Sequence, residues 1–380
     1  MEVILMKKLV QGVTSSLSLL FIKEQVEYIR GNGFEVKVVC NDEAVNANAR
    51  MPVDHIPFDR EINLRNDPIN LYRLYMYLRR ESPDIINFGT PKAGLLGMIA
   101  GYLSGVETRI YIQRGLRLET VSGMKKMILY MTEKIACTLS THVMVISDSL
   151  EREVIRRRLV RPRKIVRIGR GSSSGINLER FSPEVVEREK VESLAERLGI
   201  QPSDFIIGYV GRIAGDKGSN ELIEAFATLS DAYPNIKLLI IGDFEAGDPI
   251  EDVHRKTITN HDRIIREPYT DKPEHYYMLM DLFVLPTYRE GFSNVSIEAQ
   301  AMGVPVITFD ATGARDTIDP GTTGLIVPSN DARGIEASLE LLMNDDEKRR
   351  EMSKNAPKFI RTHFDRKHMH EQLLAFYNTL

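Results

Sequence analysis

Two segments of the chain combine residue types that bind phosphate and hydroxyl groups. The first is GRIAGDKG at residues 211–218, which follows an apolar run. Arg212 can hold a phosphate through two parallel hydrogen bonds, Lys217 adds a point charge, and Gly211 lets the backbone approach a ligand closely. These groups can stabilise a diphosphate leaving group as negative charge develops on it. The alternative is an ordinary charged turn between a strand and a helix.

The second segment is YREGFSNVSIEA at residues 288–299. Ser293 or Asn294 is suited to cap a helix, and the free N–H groups of the first turn would then form a phosphate site. Glu290 lies just before this helix, and Glu298 lies about one turn inside it. Carboxylates accept hydrogen bonds from sugar and ribose hydroxyls, so the two can contact different parts of one ligand. The alternative is one turn residue and one solvated helix residue.

Short β-branched runs that alternate with helical stretches must position these residues. The runs are near-continuously apolar, which is typical of parallel strands buried on both faces. They are 1–6, 34–40, 84–88, 108–113, 141–147, 164–168, 204–210, 236–242, 263–265, 282–286, 305–309 and 324–328. Two successive alternations predict an α/β fold with two doubly wound, Rossmann-like domains. Such sheets bind ligands beyond the carboxyl ends of their strands, so we expect a site in an interdomain cleft.

The domain boundary is predicted in a Gly- and Ser-rich stretch at residues 169–180. The N-terminal domain then covers 1–170 and the C-terminal domain 171–360, and an amphipathic helix at 361–380 packs back on the N-terminal domain. Residues 1–180 carry a net charge of +9, and the remainder carries −12. This asymmetry indicates that the two halves contact different partners.

Composition excludes several classes of protein. The 380 residues have a formal net charge of −3, which argues against a nucleic-acid coat. The two cysteines cannot build a disulfide framework, and the eight histidines form no close triad, so we expect no metal. No apolar run approaches a membrane span, and Lys7 and Lys8 come too early for a signal peptide. We expect a cytoplasmic protein.

The combination of motifs resembles the retaining glycosyltransferases of family 4, which have the GT-B fold. Residues 290–306 match the family's E-x7-E element and the A-x-A-x-G-x-P-V pattern that follows it. Residues 211–218 match its G-R-x4-K-G element, and 324–327 match its late Gly-Leu-Leu-Val strand. The likeness runs over nearly the whole chain. Segments 90–97 and 114–119 resemble the branch that builds bacterial capsule and other surface polysaccharides.

The resemblance implies roles for the donor-binding residues. Arg212 and Lys217 are expected on the donor diphosphate. Glu290 is expected near the hydroxyls of the donor sugar, and Glu298 on the ribose hydroxyls. In the family the segment that reads the nucleobase follows a short strand, which places it at residues 265–266. Further contacts to the donor, largely through the backbone, are expected from Gly211, Ile265, Arg266, Phe292, Ser293 and Asn294.

The first domain is expected to supply the other side of the site. Gly12, with Thr14 and Ser15, matches the family loop that closes over the diphosphate, although relatives commonly have paired glycines there. The acceptor side is expected at Thr14, Ser15, Lys92 and Arg114.

Arg114 departs from the family pattern, because many relatives have His at this position. Many relatives also have His where this chain has Asn87 and Gly89. A guanidinium with a pKa above about 12 cannot act as a general base. Arg114 is therefore expected to bind a phosphate or the acceptor.

These roles predict an enzyme that moves a sugar, with retention, from a nucleotide diphosphate sugar to a hydroxyl in bacterial surface polysaccharide synthesis. The donor is expected to be a UDP-sugar, and no cofactor is expected beside it. The resemblance and the basic first half predict a lipid-linked saccharide acceptor and contact with an anionic membrane at the inner face of the cell. The basic run 152–170 and the stretch 125–131 are each either ordinary helix or membrane-facing surface.

Other functions fit parts of the pattern. A nucleotide-sugar epimerase of the same fold would need acid and base side chains near the anomeric carbon and no acceptor. A non-catalytic nucleotide-binding protein would not need Glu290, Arg212 and Lys217 together. A nicotinamide oxidoreductase is disfavoured, because no G-x-G-x-x-G follows the first predicted strand.

Overall fold

The computed structural model describes residues 6–19, 22–41, 53–58, 63, 65–172 and 174–380. These form two compact units. Unit 1 runs to Ser174 and includes Lys367–Leu380, and unit 2 is Gly175–Arg366. The division lies inside the predicted Gly- and Ser-rich stretch, four residues beyond the predicted boundary at 170.

Unit 1 is built on a seven-stranded parallel sheet. Its strands are β1 (Lys7–Gly12), β2 (Phe34–Cys40), β3 (Val53–His55), β4 (Ile85–Gly89), β5 (Thr108–Gln113), β6 (His142–Val145) and β7 (Ile165–Val166). The strand order is β3-β2-β1-β4-β5-β6-β7. The central strands are buried on both faces, which is why they read as continuous apolar runs.

Six helices of unit 1 lie between these strands. They are α1 (Ser16–Leu19), α2 (Lys23–Gly31), α3 (Asn66–Glu81), α4 (Pro91–Ser104), α5 (Gly123–Leu139) and α6 (Asp148–Arg156). Among them, α6 has a side-chain N-cap. Helix α6 begins where the Ser147 side chain accepts a hydrogen bond from Leu150 N at 3.3 Å.

Unit 2 repeats the architecture on a six-stranded parallel sheet. Its strands are β8 (Phe205–Val210), β9 (Ile236–Ile241), β10 (Ile264–Glu267), β11 (Leu282–Leu285), β12 (Val306–Phe309) and β13 (Gly324–Val327), in the order β10-β9-β8-β11-β12-β13. Its helices are α7 (Arg188–Arg197), α8 (Ser219–Ala232), α9 (Asp252–Asn260), α10 (Pro273–Tyr277), α11 (Asn294–Ala301), α12 (Ala332–Asn344) and α13 (Asp346–Phe364). The two sheets confirm the prediction of two doubly wound α/β assemblies.

In unit 1 the structure differs from the predicted strands chiefly at three places. The first predicted strand covers 1–6, of which 1–5 lie outside the described residues, and the first described strand begins at Lys7. Strand β7 has two residues where five were expected. Strand β3 was not predicted at all, because three residues are too few to show a period.

The C-terminal segment contains two helices that meet at Asp365, where one helix was predicted over 361–380. Helix α13 ends at Phe364, and α14 (Arg366–Asn378) follows it. In unit 1 the fully buried Tyr377 of α14 lies with its ring centroid 6.1 Å from that of Phe34. This packing makes α14 part of the unit 1 core.

Two features are absent from the described residues. None of the helices there is long and apolar enough to cross a membrane. The same residues contain no group of three or more His, Cys, Asp or Glu side chains arranged to hold a metal ion.

Candidate active site

The two charged segments follow β8 and β11, which are neighbours in the unit 2 sheet, and their loops pack against each other. Gly218 ends the first loop with a φ of +67°, and a Cβ there would collide with the carbonyl oxygen of Pro286. Tyr288 N donates to the carbonyl oxygen of Asp216 at 3.0 Å. Because glycine tolerates both this φ and this close approach, Gly218 fixes how the two segments meet.

Lys217 and Glu290 form an ion pair in this contact, although they are far apart in sequence. Their side chains keep 15% and 22% of their exposure, so the pair is shielded but still accessible to a ligand. Glu290 N donates to the carbonyl oxygen of Thr312 at 3.0 Å. Gly313, with a φ of +77°, packs so closely on the Glu290 backbone that no side chain would fit. The loop that carries Glu290 is therefore fixed from both sides.

Arg212 is held by carboxylates as well. Its Nη1 donates to Glu245 Oε2 at 2.8 Å, and its Nη2 lies 3.7 Å from Asp216 Oδ1. Asp216 also lies 3.3 Å from Arg289 Nη2. None of these ion pairs was predicted from the sequence. Asp216 could have been found four positions after Arg212, but Glu245 comes from the loop that follows the neighbouring strand β9.

Helix α11 begins as predicted. The Ser293 side chain accepts a hydrogen bond from Ser296 N at 3.4 Å, so Ser293 is the N-cap and Asn294 is the first helical residue. The Phe292 ring is buried, with its centroid 5.1 Å from that of Phe364. The Phe292 side chain therefore belongs to the core, and its backbone is the part left for a ligand.

Glu298 has surroundings unlike those of Glu290. Its carboxylate accepts a hydrogen bond from Tyr277 Oη at 3.1 Å. Burial raises the pKa of Glu298 to about 7, although this hydrogen bond and the Arg180 charge oppose the shift. Near neutral pH the Glu298 carboxyl is therefore about half ionised, whereas Glu290 is paired with a cation.

Ile265 and Arg266 lie within β10, so the prediction that they follow a strand is wrong. Backbone pairing with β9 continues to Glu267, beyond the point where the apolar run ends. Strand β10 is at the edge of the sheet, so among the described residues its backbone pairs with a strand on one side only, that of β9. The Arg266 guanidinium lies 5.4 Å from the centroid of the Phe244 ring.

In unit 1, Gly12 is the last residue of β1. A side chain at this position would collide with the ring of Phe88 in the adjacent strand β4, so packing alone requires glycine. Two hydroxyl residues follow. Thr14 Oγ1 lies 2.5 Å from Thr90 Oγ1, and Ser15 Oγ lies 3.3 Å from Ser18 Oγ.

Arg114 follows β5 and lies against Gly89 at the end of β4. A Cβ on Gly89 would lie 2.9 Å from Arg114 Nε, so the glycine makes room for the arginine and the two departures from the family pattern are coupled. Burial lowers the pKa of Arg114 to about 10, against a smaller opposing effect of Tyr377. The expected pKa above 12 is therefore too high, but the group stays charged at pH 7. Within the described ranges no carboxylate pairs with Arg114.

A buried polar cluster surrounds this arginine. Asn87 Nδ2 donates to Tyr377 Oη, and Gln11 Nε2 donates to the same oxygen at 3.4 Å. Burial raises the pKa of Tyr377 to about 12. Gln11 and Asn87 stand near the carboxyl ends of β1 and β4, so they mark the strand-end surface of unit 1. Tyr377 was missed because it comes from the far end of the chain.

Lys92 is buried in the first turn of α4, and its ammonium pairs with Asp67 of α3. The pair ties two neighbouring helices together. The structure thus gives Lys92 a packing role, and its predicted contact with the acceptor stays a prediction.

Two family descriptions match the chain, one in each half. Residues 20–173 match Glycosyltransferase Family 4, and residues 190–359 match Glycosyl transferases group 1. The capsular polysaccharide biosynthesis glycosyltransferase CapM of Staphylococcus aureus is 39% identical over 374 residues, which are 98% of this chain and 97% of that protein. The UDP-Gal:alpha-D-GlcNAc-diphosphoundecaprenol alpha-1,3-galactosyltransferase of Escherichia coli is 26% identical over 345 residues, 87% of this chain and 86% of that protein.

Solved structures share the fold. HepE of Anabaena in complex with UDP superposes with a TM-score of 0.81 at 18% identity, over 99% of this chain and 100% of that chain. WaaG, a glycosyltransferase involved in lipopolysaccharide biosynthesis, gives a TM-score of 0.75 at 14% identity, over 97% and 99%. These likenesses confirm the predicted GT-B fold. With the identity to CapM and the two family matches, they show that the chain belongs to the group 1 glycosyltransferases, with a family 4 N-terminal region, and is a glycosyltransferase.

Proposed function

We propose that the chain transfers a sugar from a UDP-sugar to a hydroxyl of a lipid-linked saccharide, with retention at the anomeric carbon, in bacterial capsule or surface polysaccharide synthesis. The name of CapM supports the pathway, and the name of the E. coli relative supports a UDP donor and a diphosphate-linked lipid acceptor. UDP and UDP-glucose complexes of HepE support the same class of donor. A lipid-linked acceptor would place the enzyme at the inner surface of the cell membrane.

The proposal depends chiefly on one observation, the cluster of cations at the carboxyl ends of β8 and β11. Arg212 and Lys217 are held in place by Glu245, Asp216 and Glu290. The cluster is therefore preorganised before any ligand arrives. An entering diphosphate exchanges one anionic partner of each cation for another, so the cations need little reorganisation as charge develops on the leaving group.

The same exchange gives the acidic residues their roles. When the diphosphate takes over the Lys217 ammonium, the Glu290 carboxylate is released and can accept hydrogen bonds from hydroxyls of the donor sugar. Glu298 accepts from the ribose hydroxyls. The phosphate contacts Gly211, Ser293 and the backbone at the start of α11. The nucleobase contacts the edge strand β10 at Ile265 and Arg266.

Retention follows if the leaving group itself takes the proton. The bond from the anomeric carbon to the diphosphate oxygen breaks, and its electron pair stays on the diphosphate. The acceptor hydroxyl oxygen bonds to the same face of the carbon, and its proton goes to the departing diphosphate oxygen. The proposal assigns the phosphate charge to Arg212 and Lys217 without a metal, so a chelator is expected to leave the rate unchanged.

The decisive experiment compares two pairs of alanine variants. Arg212→Ala and Lys217→Ala are each expected to lower kcat by about 10²–10³, because each removes a group that stabilises the leaving diphosphate. Arg333→Ala and Lys354→Ala remove exposed cations of the same unit and serve as matched controls. UDP release and glycosylated lipid are measured together, and thermal unfolding verifies the fold.

Three results would contradict the proposal. Full activity in both Arg212→Ala and Lys217→Ala would remove the assignment of the diphosphate site. An epimerised sugar nucleotide, formed from donor alone, would favour the epimerase. Failure of every nucleotide sugar to raise the melting temperature would favour a non-catalytic protein, because selective binding stabilises the fold.

A further inference from the structure

One face of the unit 1 sheet is covered by a layer of four helices. The connections β3-α3-β4, β4-α4-β5, β5-α5-β6 and β6-α6-β7 all step in the same direction along the sheet order. Right-handed crossovers that step in one direction place their helices on the same face of a sheet. Helix α4 also contacts both α3 and α5, so these three helices lie side by side in the layer.

The outer surface of α5 is apolar. Its exposed large apolar residues recur with helical spacing and keep 39–68% of their accessible area. They are Met124, Met127, Ile128, Met131 and Ile135. Because positions three, four and seven apart share one side of a helix, these residues form a single stripe. A soluble helix normally turns its apolar stripe toward the core, so the arrangement is the reverse of the usual one.

The inner surface of α5 cannot exchange places with this stripe. Ala136 and Cys137 are buried, and the buried carboxylate of Glu133 accepts hydrogen bonds from Tyr111 Oη at 2.8 Å and Gln113 Nε2 at 2.7 Å. These bonds to strand β5 fix the rotation of the helix about its axis. The methionine and isoleucine side chains are therefore held outward by the fold.

The neighbouring helices extend the apolar surface. Helix α3 exposes Ile69, Tyr72 and Met76, which again follow helical spacing. The last turn of α4 exposes Tyr102 and Leu103, at 58% each. Large exposed apolar side chains gathered on adjacent helices are typical of an interaction surface.

The charges on α5 indicate which partner fits. Lys125 and Lys126 are exposed next to the stripe, and the one acidic residue of the helix, Glu133, is buried. The basic run 152–170 is less suited to this role, because Arg152, Arg156 and Arg167 pair with nearby carboxylates. A helix with exposed apolar side chains and unopposed lysines is typical of a surface that lies in the headgroup region of an anionic bilayer.

We propose that the α5 face, defined as the stripe of α5 with Lys125 and Lys126 and the exposed residues of α3 and α4, lies on an anionic lipid bilayer. The apolar side chains enter the boundary between headgroups and acyl chains, and the lysines contact lipid phosphates. The proposal rests on the proposed function for its purpose, because a lipid-linked acceptor is reached from such a surface. Its physical basis is separate from the donor site, so the two can fail independently.

The chain contains no tryptophan, which allows a clean test. Met131→Trp puts a single fluorophore in the stripe, and Val253→Trp puts one at a comparably exposed apolar position on α9 of unit 2. With vesicles that contain anionic phospholipid, Met131→Trp emission is expected to shift to shorter wavelength and to be quenched by lipids brominated in the acyl chains. Val253→Trp emission is expected to change little.

Lysine variants test the electrostatic part. Each basic residue at such a surface contributes about fivefold to binding, so Lys125→Gln with Lys126→Gln should weaken partition into anionic vesicles about 25-fold. Lys256→Gln, an exposed lysine of unit 2, is the matched control.

Several outcomes would overturn the proposal. The first is that the emission of Met131→Trp does not shift with anionic vesicles at low salt. The second is an equal emission shift in Val253→Trp. The third is an emission shift of Met131→Trp without vesicles that grows with protein concentration. The last result would show that a second copy of the chain covers the face. Stabilisation by UDP is measured in the same variants. Retained UDP binding without vesicle binding would reject the α5 face alone, and vesicle binding without UDP binding would reject the proposed function alone.

Discussion

The strand-end cations of the two units differ in what holds them. In unit 2, Arg212 and Lys217 each contact at least one carboxylate and remain partly exposed. In unit 1, Arg114 lies against Gly89 and near Tyr377, and among the described residues it has no acidic partner. The two units thus have similar charges at the same end of similar sheets. The unit 2 cations are already paired with carboxylates, and among the described residues the unit 1 cation is not.

This difference has an energetic consequence. Removing a cation from solvent without a counter-charge costs stability, and the same desolvation lowers the pKa of Arg114 to about 10. An anionic ligand would recover that cost on binding, whereas in unit 2 a ligand only replaces carboxylates that are already there. Under the proposed roles, a phosphate at Arg114 would supply its first counter-charge, whereas a phosphate at Arg212 or Lys217 would replace a carboxylate.

The largest expected effect that tests this contrast is in unit 1. If Arg114 binds a phosphate of the acceptor, Arg114→Ala should raise the acceptor KM about 10- to 100-fold, because hydrogen bonds to charged groups are lost. The donor KM should change less than about twofold. Steady-state kinetics with each substrate varied in turn measure both constants.

Arg114→Lys is the matched variant, since it keeps the charge but loses the planar, forked donor. Partial recovery of the acceptor KM is expected. An acceptor KM that is unchanged in Arg114→Ala would show that Arg114 does not bind the acceptor. The difference between the two units would then concern only how their cations pack in the fold.

The second prediction concerns Glu298 in unit 2. With a pKa of about 7, its carboxyl is mostly protonated at pH 6 and mostly ionised at pH 8. If the ionised form accepts from the ribose hydroxyls, the donor KM should rise as the pH falls, by up to about tenfold between pH 8 and pH 6. Glu298→Gln cannot titrate, so its donor KM should be flat over this range. An equally steep profile in Glu298→Gln would assign the titration to another group.

The contrast between the units also explains what the sequence could and could not predict. Local periodicity and capping determine the strands, the Ser293 cap and the Lys217 and Glu290 motifs, and all of these were found except the three-residue strand β3. The partners of these groups depend on sheet register. Glu245 reaches Arg212 only because β9 lies beside β8, and Gln11 meets Tyr377 across nearly the whole chain.

The end of β10 was misplaced for a related reason. Apolar residues stop at Ile265, but the backbone ladder continues through two charged residues to Glu267. A pattern of side chains therefore cannot mark where main-chain pairing ends. The fit of Arg114 against Gly89 could not be predicted for a similar reason, because it depends on how β4 and β5 pair in the sheet.

The smallest expected effect concerns the pH dependence of stability that a buried carboxyl gives to unit 1. Burial raises the pKa of Glu133 in unit 1 to about 7, the same value as for Glu298, from 4.5 in the unfolded chain. The folded state then binds more protons than the unfolded state between these values, so stability falls as the pH rises. From pH 6 to pH 8 the free energy of unfolding of unit 1 should fall by about 1.4 kcal/mol through Glu133.

Glu133→Gln should remove most of this dependence, because its side chain cannot ionise and can still accept a hydrogen bond from Tyr111. Hydrogen exchange of amides in β5 and α5 under mild denaturant follows unit 1, and amides of α12 report on unit 2 in the same sample. The Glu133→Gln difference should appear in the unit 1 amides alone. If α12 amides change equally, the two units unfold together, and the acids cannot be assigned to separate cooperative regions.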